Sequence, residues 1–170
     1  MERIGSLTER ICNYERRLET IAKDHYPDTE LLRQVEGIGP LTALTFVLTL
    51  DEPYRFEKSR FVGAYLGLVP ATDRLGDSDP QKRISKEGDE MLRKLLVCSA
   101  HYILGPFGSD SDLRRHGQMI ASRGAKNSKK RAAVAVATKL SVLLHRLWIS
   151  GEVYDPLYNA HRREQREEVA

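Results

Sequence analysis

Cysteine is nearly absent: Cys12 and Cys98 are the only two in 170 residues, and they do not form a pair at ligand spacing. That excludes a disulfide framework or a cysteine–histidine zinc site and fits a reducing compartment. No apolar run approaches a membrane span, and the N-terminus lacks the apolar core of a secretory leader. The chain therefore reads as soluble and cytoplasmic, with no membrane partner. Aromatic residues make up 7% and are not interleaved with the cations, which argues against base stacking on single strands. His101, His116, His145 and His161 share no face, and neither a Ser–His–Asp order nor a phosphate loop is present. His145 lies in an apolar helix and reads as a core or surface histidine rather than a base. Asp73, Asp77 and Asp79 crowd one loop but lack the closing glutamate of a calcium loop, and turn formation accounts for them. No metal site or cofactor is expected in this chain.

Charge is present but uneven. The net balance is only +3, yet residues 82–131 hold 12 Lys/Arg against 5 Asp/Glu, whereas residues 1–81 hold 10 against 14. A basic block of that kind suggests a polyanionic partner, the alternative being a solvated helical face. Arg74, Lys82, Arg83 and Lys86 bracket one loop, and Arg93 follows on the next helix. Lys126, Lys129, Lys130 and Arg131 crowd a helix start, where they oppose the macrodipole. Phosphate neutralisation is the use such a placement suggests.

The periodicity is helical throughout, and the expected fold is all-α. Ile4, Leu7, Ile11, Tyr14, Leu18, Ile21 and His25 step by three and four, the seam of a heptad repeat. This helix either pairs with a second copy or folds back on the core, and Pro27 ends it. In "LLRQVEGIGPLTALTFVLTLDE", Gly37, Ile38 and Gly39 form a turn before Pro40 at a first helical position, the outline of a helix-hairpin-helix. Such a turn offers backbone N–H groups to a phosphate, or serves only for packing. The helix after it is almost wholly apolar and is expected at the centre of the core. Further helices are read around Phe61 and Tyr65, from Met91 to Gly105-Pro106, around Leu113 and Met119, and from Lys126 to Trp148. The boundaries are 1–26 for the coiled-coil helix, 29–156 for the helical domain and 157–170 for a polar tail.

Four blocks, "VEGIGPLTA", "RFEKSRFVGAYLGLVPA", "RISKEGDEMLRKLLVCSAHYIL" and "KKRAAVAVATKLSVLLHRLWISGEVYDP", resemble in order the C-terminal module of the insertion sequence 110 transposases and Piv-type DNA invertases. The resemblance covers Leu31 to Pro156. In that family a RuvC-like domain with four acidic metal ligands leads through a coiled coil to this helical module. The module supplies a serine that attacks a DNA phosphodiester, and a bridge RNA selects the sites. The resemblance implies that this chain begins at the connector, that the RuvC-like domain is missing, and that a divalent metal acts only with an acidic partner domain. The family's loop after "GLVP" carries a Ser-Gly pair; here the matching pair is Leu75-Gly76, with Ser78 three residues along. Leucine has no oxygen to attack phosphorus.

Three readings stand open. The first is a transposase-derived module that binds DNA, and with it a structured guide RNA, forms a homodimer through its N-terminal helix and does no strand transfer alone. The second is an active recombinase subunit using Ser78, with a RuvC-like partner in trans. The third is a coiled-coil adaptor that binds protein only.

Overall fold

The computed structural model describes residues 2–71 and 83–162. Seven α-helices are defined among them: α1 (Glu2–His25), α2 (Thr29–Arg33), α3 (Pro40–Leu50), α4 (Arg60–Tyr65), α5 (Glu90–Leu104), α6 (Asp112–Ala121) and α7 (Ser128–Ser150). A 3-10 turn, Pro53–Arg55, links α3 to α4. The fold is all-α; among the described residues the extended backbone amounts to one isolated antiparallel bridge, Pro70 to Ile84.

The core is organised around α7. Its inward positions, among them Val136, Ala137, Leu140 and Leu144, are buried against α4, α5 and α6. Small residues early in the helix let its neighbours approach, and larger ones fill the far end, where Trp148 meets Phe46 of α3 edge to face. Trp148 also donates to the Asp28 carboxylate at 3.0 Å, fixing α2 to the end of α7. The helix stops at Gly151 in the left-handed conformation, whose N–H bonds to Leu147. By length and composition α7 is apolar enough to cross a membrane, which corrects the expectation that no run approaches a span; more than half of the relevant window is buried inside the fold. Its start also moves: Asn127 takes a left-handed φ of 70°, so the helix begins at Ser128 rather than Lys126.

α3 is buried less completely than its composition suggests. Ala43, Phe46, Val47 and Leu50 face the core, but Leu41 and Leu48 are 38% and 52% exposed. Seven residues apart, they share one outward stripe of a helix that only partly faces the core. α1 docks at its C-terminal end alone, against α2 and α3, where Ala22 is buried. Its earlier seam stands clear of the core: Ile4 is 71% exposed, and Leu7, Ile11 and Tyr14 are each 57% exposed. Folding back onto the core is thus not what this helix does.

The segment after α7 returns to the start of α6. The Asp112 N–H donates to Pro156 at 2.7 Å, and the Asp112 carboxylate accepts from the Asn159 backbone and side-chain amides at 2.8 Å. The expected polar tail from 157 therefore begins with residues tied to α6.

Candidate nucleic-acid interface

The turn between α2 and α3 is built on one left-handed residue. Gly37 has φ 89°, and a Cβ there would lie 3.0 Å from the Tyr102 ring. Ile38 is buried beneath it, and Gly39 takes an ordinary extended conformation before Pro40 opens α3. Gly39 accepts from the Ala43 N–H at 3.0 Å, so the amides of Leu41 and Thr42 fall in the first turn, where a helix supplies them no partner. Beside this turn stands a fixed carboxylate. Glu36 accepts from the Ser109 hydroxyl, from the Ser109 N–H at 3.1 Å and from the Tyr102 hydroxyl at 3.4 Å. The Ser109 bonds hold its carboxyl below the usual carboxylate range. A small cavity of about 200 Å³ opens here between Gln34, Ile103, Ser111 and Tyr154.

The second element is the start of α7. Lys126, Lys129, Lys130 and Arg131 are exposed, the first turn holds no acidic residue, and among the described residues no carboxylate pairs with them. The Ser128 hydroxyl donates to Ala121 at 3.0 Å, anchoring this start to the end of α6.

The third element is the stem of the loop between α4 and α5. Ala71 donates to Arg83 at 3.0 Å, Ser85 to Val69 at 2.9 Å and Lys86 to Gly67 at 3.1 Å, so the two sides run as a short antiparallel ribbon. Thr138 of α7 holds it from below, its hydroxyl donating to Leu68 at 3.2 Å. Arg83 and Lys86 are exposed on this stem. Arg74, Leu75, Ser78 and Lys82 lie outside the described residues. Arg93 is not a free cation: its Nη1 donates to four backbone carbonyls, those of Leu66, Glu87, Gly88 and Asp89, at 3.0–3.5 Å.

These elements divide between two ends of the molecule. Arg131 and Thr138 are seven residues apart, so they share a face of α7 about 10 Å apart along its axis. Arg83 and Lys86 thus sit on a stem held about two turns along α7 from its basic start. The Gly37–Gly39 turn instead lies against Ser99, Tyr102 and Ile103, near the start of α6, while the α7 start is tied to its end. The ten residues of α6 put about 15 Å between them.

Two cations missed by spacing alone extend the basic end. Burial first, then Lys139 and Arg123, push the His116 imidazole below its ordinary value. Arg123 and Lys139 thus add to the positive field there, Arg123 from the turn after α6 and Lys139 from α7. Arg114, by contrast, is occupied structurally, donating to Ile103 and Gly105 at 2.6 Å to close the end of α5. Among the described residues no three His, Cys, Asp or Glu side chains gather to hold a metal.

The sequence profile of the Transposase IS116/IS110/IS902 family matches residues 29–109. The chain is 30% identical over 146 residues to the transposase for insertion sequence element IS1111A of Coxiella burnetii, covering 86% of this chain and 39% of that protein. It is 31% identical over 156 residues to a probable family 20 transposase of Pseudomonas aeruginosa, covering 91% and 45%. The transposase for insertion sequence element IS1328 of Yersinia enterocolitica is 31% identical over 150 residues, covering 81% and 44%. These matches support the IS110-type transposase family. The chain spans about two fifths of the length of these IS110-type relatives. The profile match runs from the start of α2 through the turn, the stem and α5 to Ser109, so α1 and α7 lie outside it.

Proposed function

We propose that this chain is a nucleic-acid-binding helical module of a DNA recombination system, gripping backbone phosphates at the two ends of α6. The observation that carries this reading is the exposed start of α7. Each like charge kept at the positive end of a helix costs about 0.3–1 kcal/mol at the surface. Lys126, Lys129, Lys130 and Arg131 bear that cost without a carboxylate partner among the described residues, and a phosphate backbone offsets it. Gly39 and the first amides of α3 serve as the second, uncharged contact in the manner of a helix-hairpin-helix. In this reading Arg83 and Lys86 flank the nucleic acid on the α7 side, and two copies meet along the α1 seam.

Covalent chemistry is assigned elsewhere. Position 75, where the resembled family places its serine, is leucine, so the loop binds rather than attacks. Any strand transfer calls for an acidic RuvC-like domain with its divalent metal and a nucleophile other than residue 75. The second reading, an active subunit, rests on Ser78 in the same loop. A protein–DNA adduct on nicked DNA with metal and an acidic-domain partner, abolished by Ser78→Ala, would establish it.

The test of binding is a mobility-shift titration on duplex DNA and on structured RNA over a salt series. Each phosphate neutralised on duplex DNA should contribute about −0.9 to the slope of log affinity against log salt. Binding that is absent or indifferent to salt on both polymers leaves the protein-binding adaptor as the remaining reading.

A further inference from the structure

The stem of the loop between α4 and α5 is held in an unusual way. Gly67 and Gly88, both left-handed at φ 65° and 79°, lie where the two sides cross. A Cβ on Gly67 would sit 2.2 Å from the Glu87 carbonyl oxygen, and one on Gly88 would sit 2.0 Å from that of Tyr65. Two backbones therefore touch where no side chain fits, and beside them the carbonyl oxygens of Leu66, Glu87, Gly88 and Asp89 converge. Carbonyl oxygens gathered this closely repel unless a donor lies among them. Arg93 is that donor. Its Nη1 reaches the carbonyl of Leu66 at 3.1 Å on one side and that of Glu87 at 3.0 Å on the other, with Gly88 and Asp89 at 3.5 Å. Asp89 at the same time caps α5, accepting from the Leu92 N–H at 2.6 Å. One guanidinium thus ties the end of α4, the returning side of the stem and the start of α5 into one knot.

We propose that Arg93 is a positioning residue: with the Gly67–Gly88 crossing it sets the stem so that Arg83 and Lys86 stand on the α7 side of the molecule. The effect on nucleic acid rests on the binding function proposed above; the knot itself does not. Residue 93 is 27 positions from Leu66, and its long, permanently charged side chain joins the two, all four contacts being made by Nη1. Charge-assisted bonds of this kind are roughly twice as strong as neutral ones, and here they act beside Leu66 and Leu68, which are buried in the core. A cation consumed in this way contacts no phosphate.

The test compares wild type, Arg93→Ala and Arg93→Lys by hydrogen exchange without nucleic acid, and then by salt-series titration with duplex DNA. Loss of charge-assisted bonds should speed amide exchange about ten-fold or more in residues 67–71 and 83–88 of Arg93→Ala, with α3 and α7 unchanged. Arg93→Lys keeps the charge but is shorter and does not bring its nitrogen to the position of Nη1, and should also exchange faster than wild type across the stem. Wild-type stem exchange in both variants overturns the proposal, and so does acceleration spread equally over α3 and α7, which would make Arg93 a general stability residue. A phosphate ligand would instead lower the salt slope in Arg93→Ala with the stem still protected. Should wild type itself fail to bind nucleic acid, the binding function falls while the exchange result stands or falls alone.

Discussion

α1 and α7 are nearly equal in length, 24 and 23 residues, and both carry apolar side chains at helical spacing, yet their fates differ. The more regular of the two is the one left in solvent. α1 keeps a heptad seam from Ile4 to Ile21 and buries little besides Ala22, whereas α7, with a less tidy pattern and a basic start, forms the centre of the core. The reason lies in what surrounds them. Four helices contact α7 and cover its sides, while among the described residues α1 packs chiefly on α2 and α3 at one end. A repeat of 3.5 suits a long narrow seam against another long helix, and among the described residues no long helix lies along the α1 seam.

The sharpest way to break the contrast is to cut the same residue type from each helix. Leu144→Ala on α7 should cost about 2–5 kcal/mol of folding stability, because a fully buried leucine leaves a cavity. Leu7→Ala on α1 should stay within about 0.5 kcal/mol in the dissociated chain, as at other exposed positions. Chemical denaturation at low concentration reads both. Similar costs would mean that α1 is docked on the core in solution.

Next in size is association. Leu7→Lys with Ile11→Lys should weaken self-association by at least about ten-fold, since each seam residue stabilises by about 1.5–3 kcal/mol when fully buried. Sedimentation at tens of micromolar should show a dimer for wild type and a monomer for the variant, with helical content unchanged. A monomeric wild type would mean that the seam meets a different partner.

Smaller still is the effect of the α7 start, where charge rather than burial is at stake. Replacing Lys129, Lys130 and Arg131 by alanine should flatten the salt slope of DNA binding by up to roughly three and leave folding stability nearly untouched. Unchanged affinity would assign these cations to the solvated face.

The least effect concerns pH. His145 is fully buried, with Nε2 2.8 Å from the Pro53 carbonyl oxygen and Nδ1 without a partner. Nε2 therefore carries the proton, and burial lowers the pKa of the ring from its ordinary value. The unfolded chain then binds more protons than the folded one, so stability is full above the unfolded value, about 6.5, and falls as pH drops below it. His116, also lowered, contributes with the same sign. Denaturation midpoints at pH 7.5 and 5.5 should differ less in His145→Leu than in wild type; an identical difference would remove His145 from the account.

Much of the architecture was legible because it is local. Helical periods of three and four and Pro40 as a first-turn residue act within a turn or two of themselves. The concentration of positive charge after residue 82 was equally a property of the chain. What only the tertiary structure decided depends on groups far apart in sequence. Arg93 reads as one more surface cation until it meets Leu66, 27 positions away, and His145 is placed by Pro53, 92 positions away. The Gly37–Gly39 turn and the α7 start each suggest a phosphate contact in the sequence, and packing sets them at opposite ends of α6. Period tells a helix which residues form its face. What that face meets is decided by how the other helices close around it, and among the described residues none closes around the α1 seam.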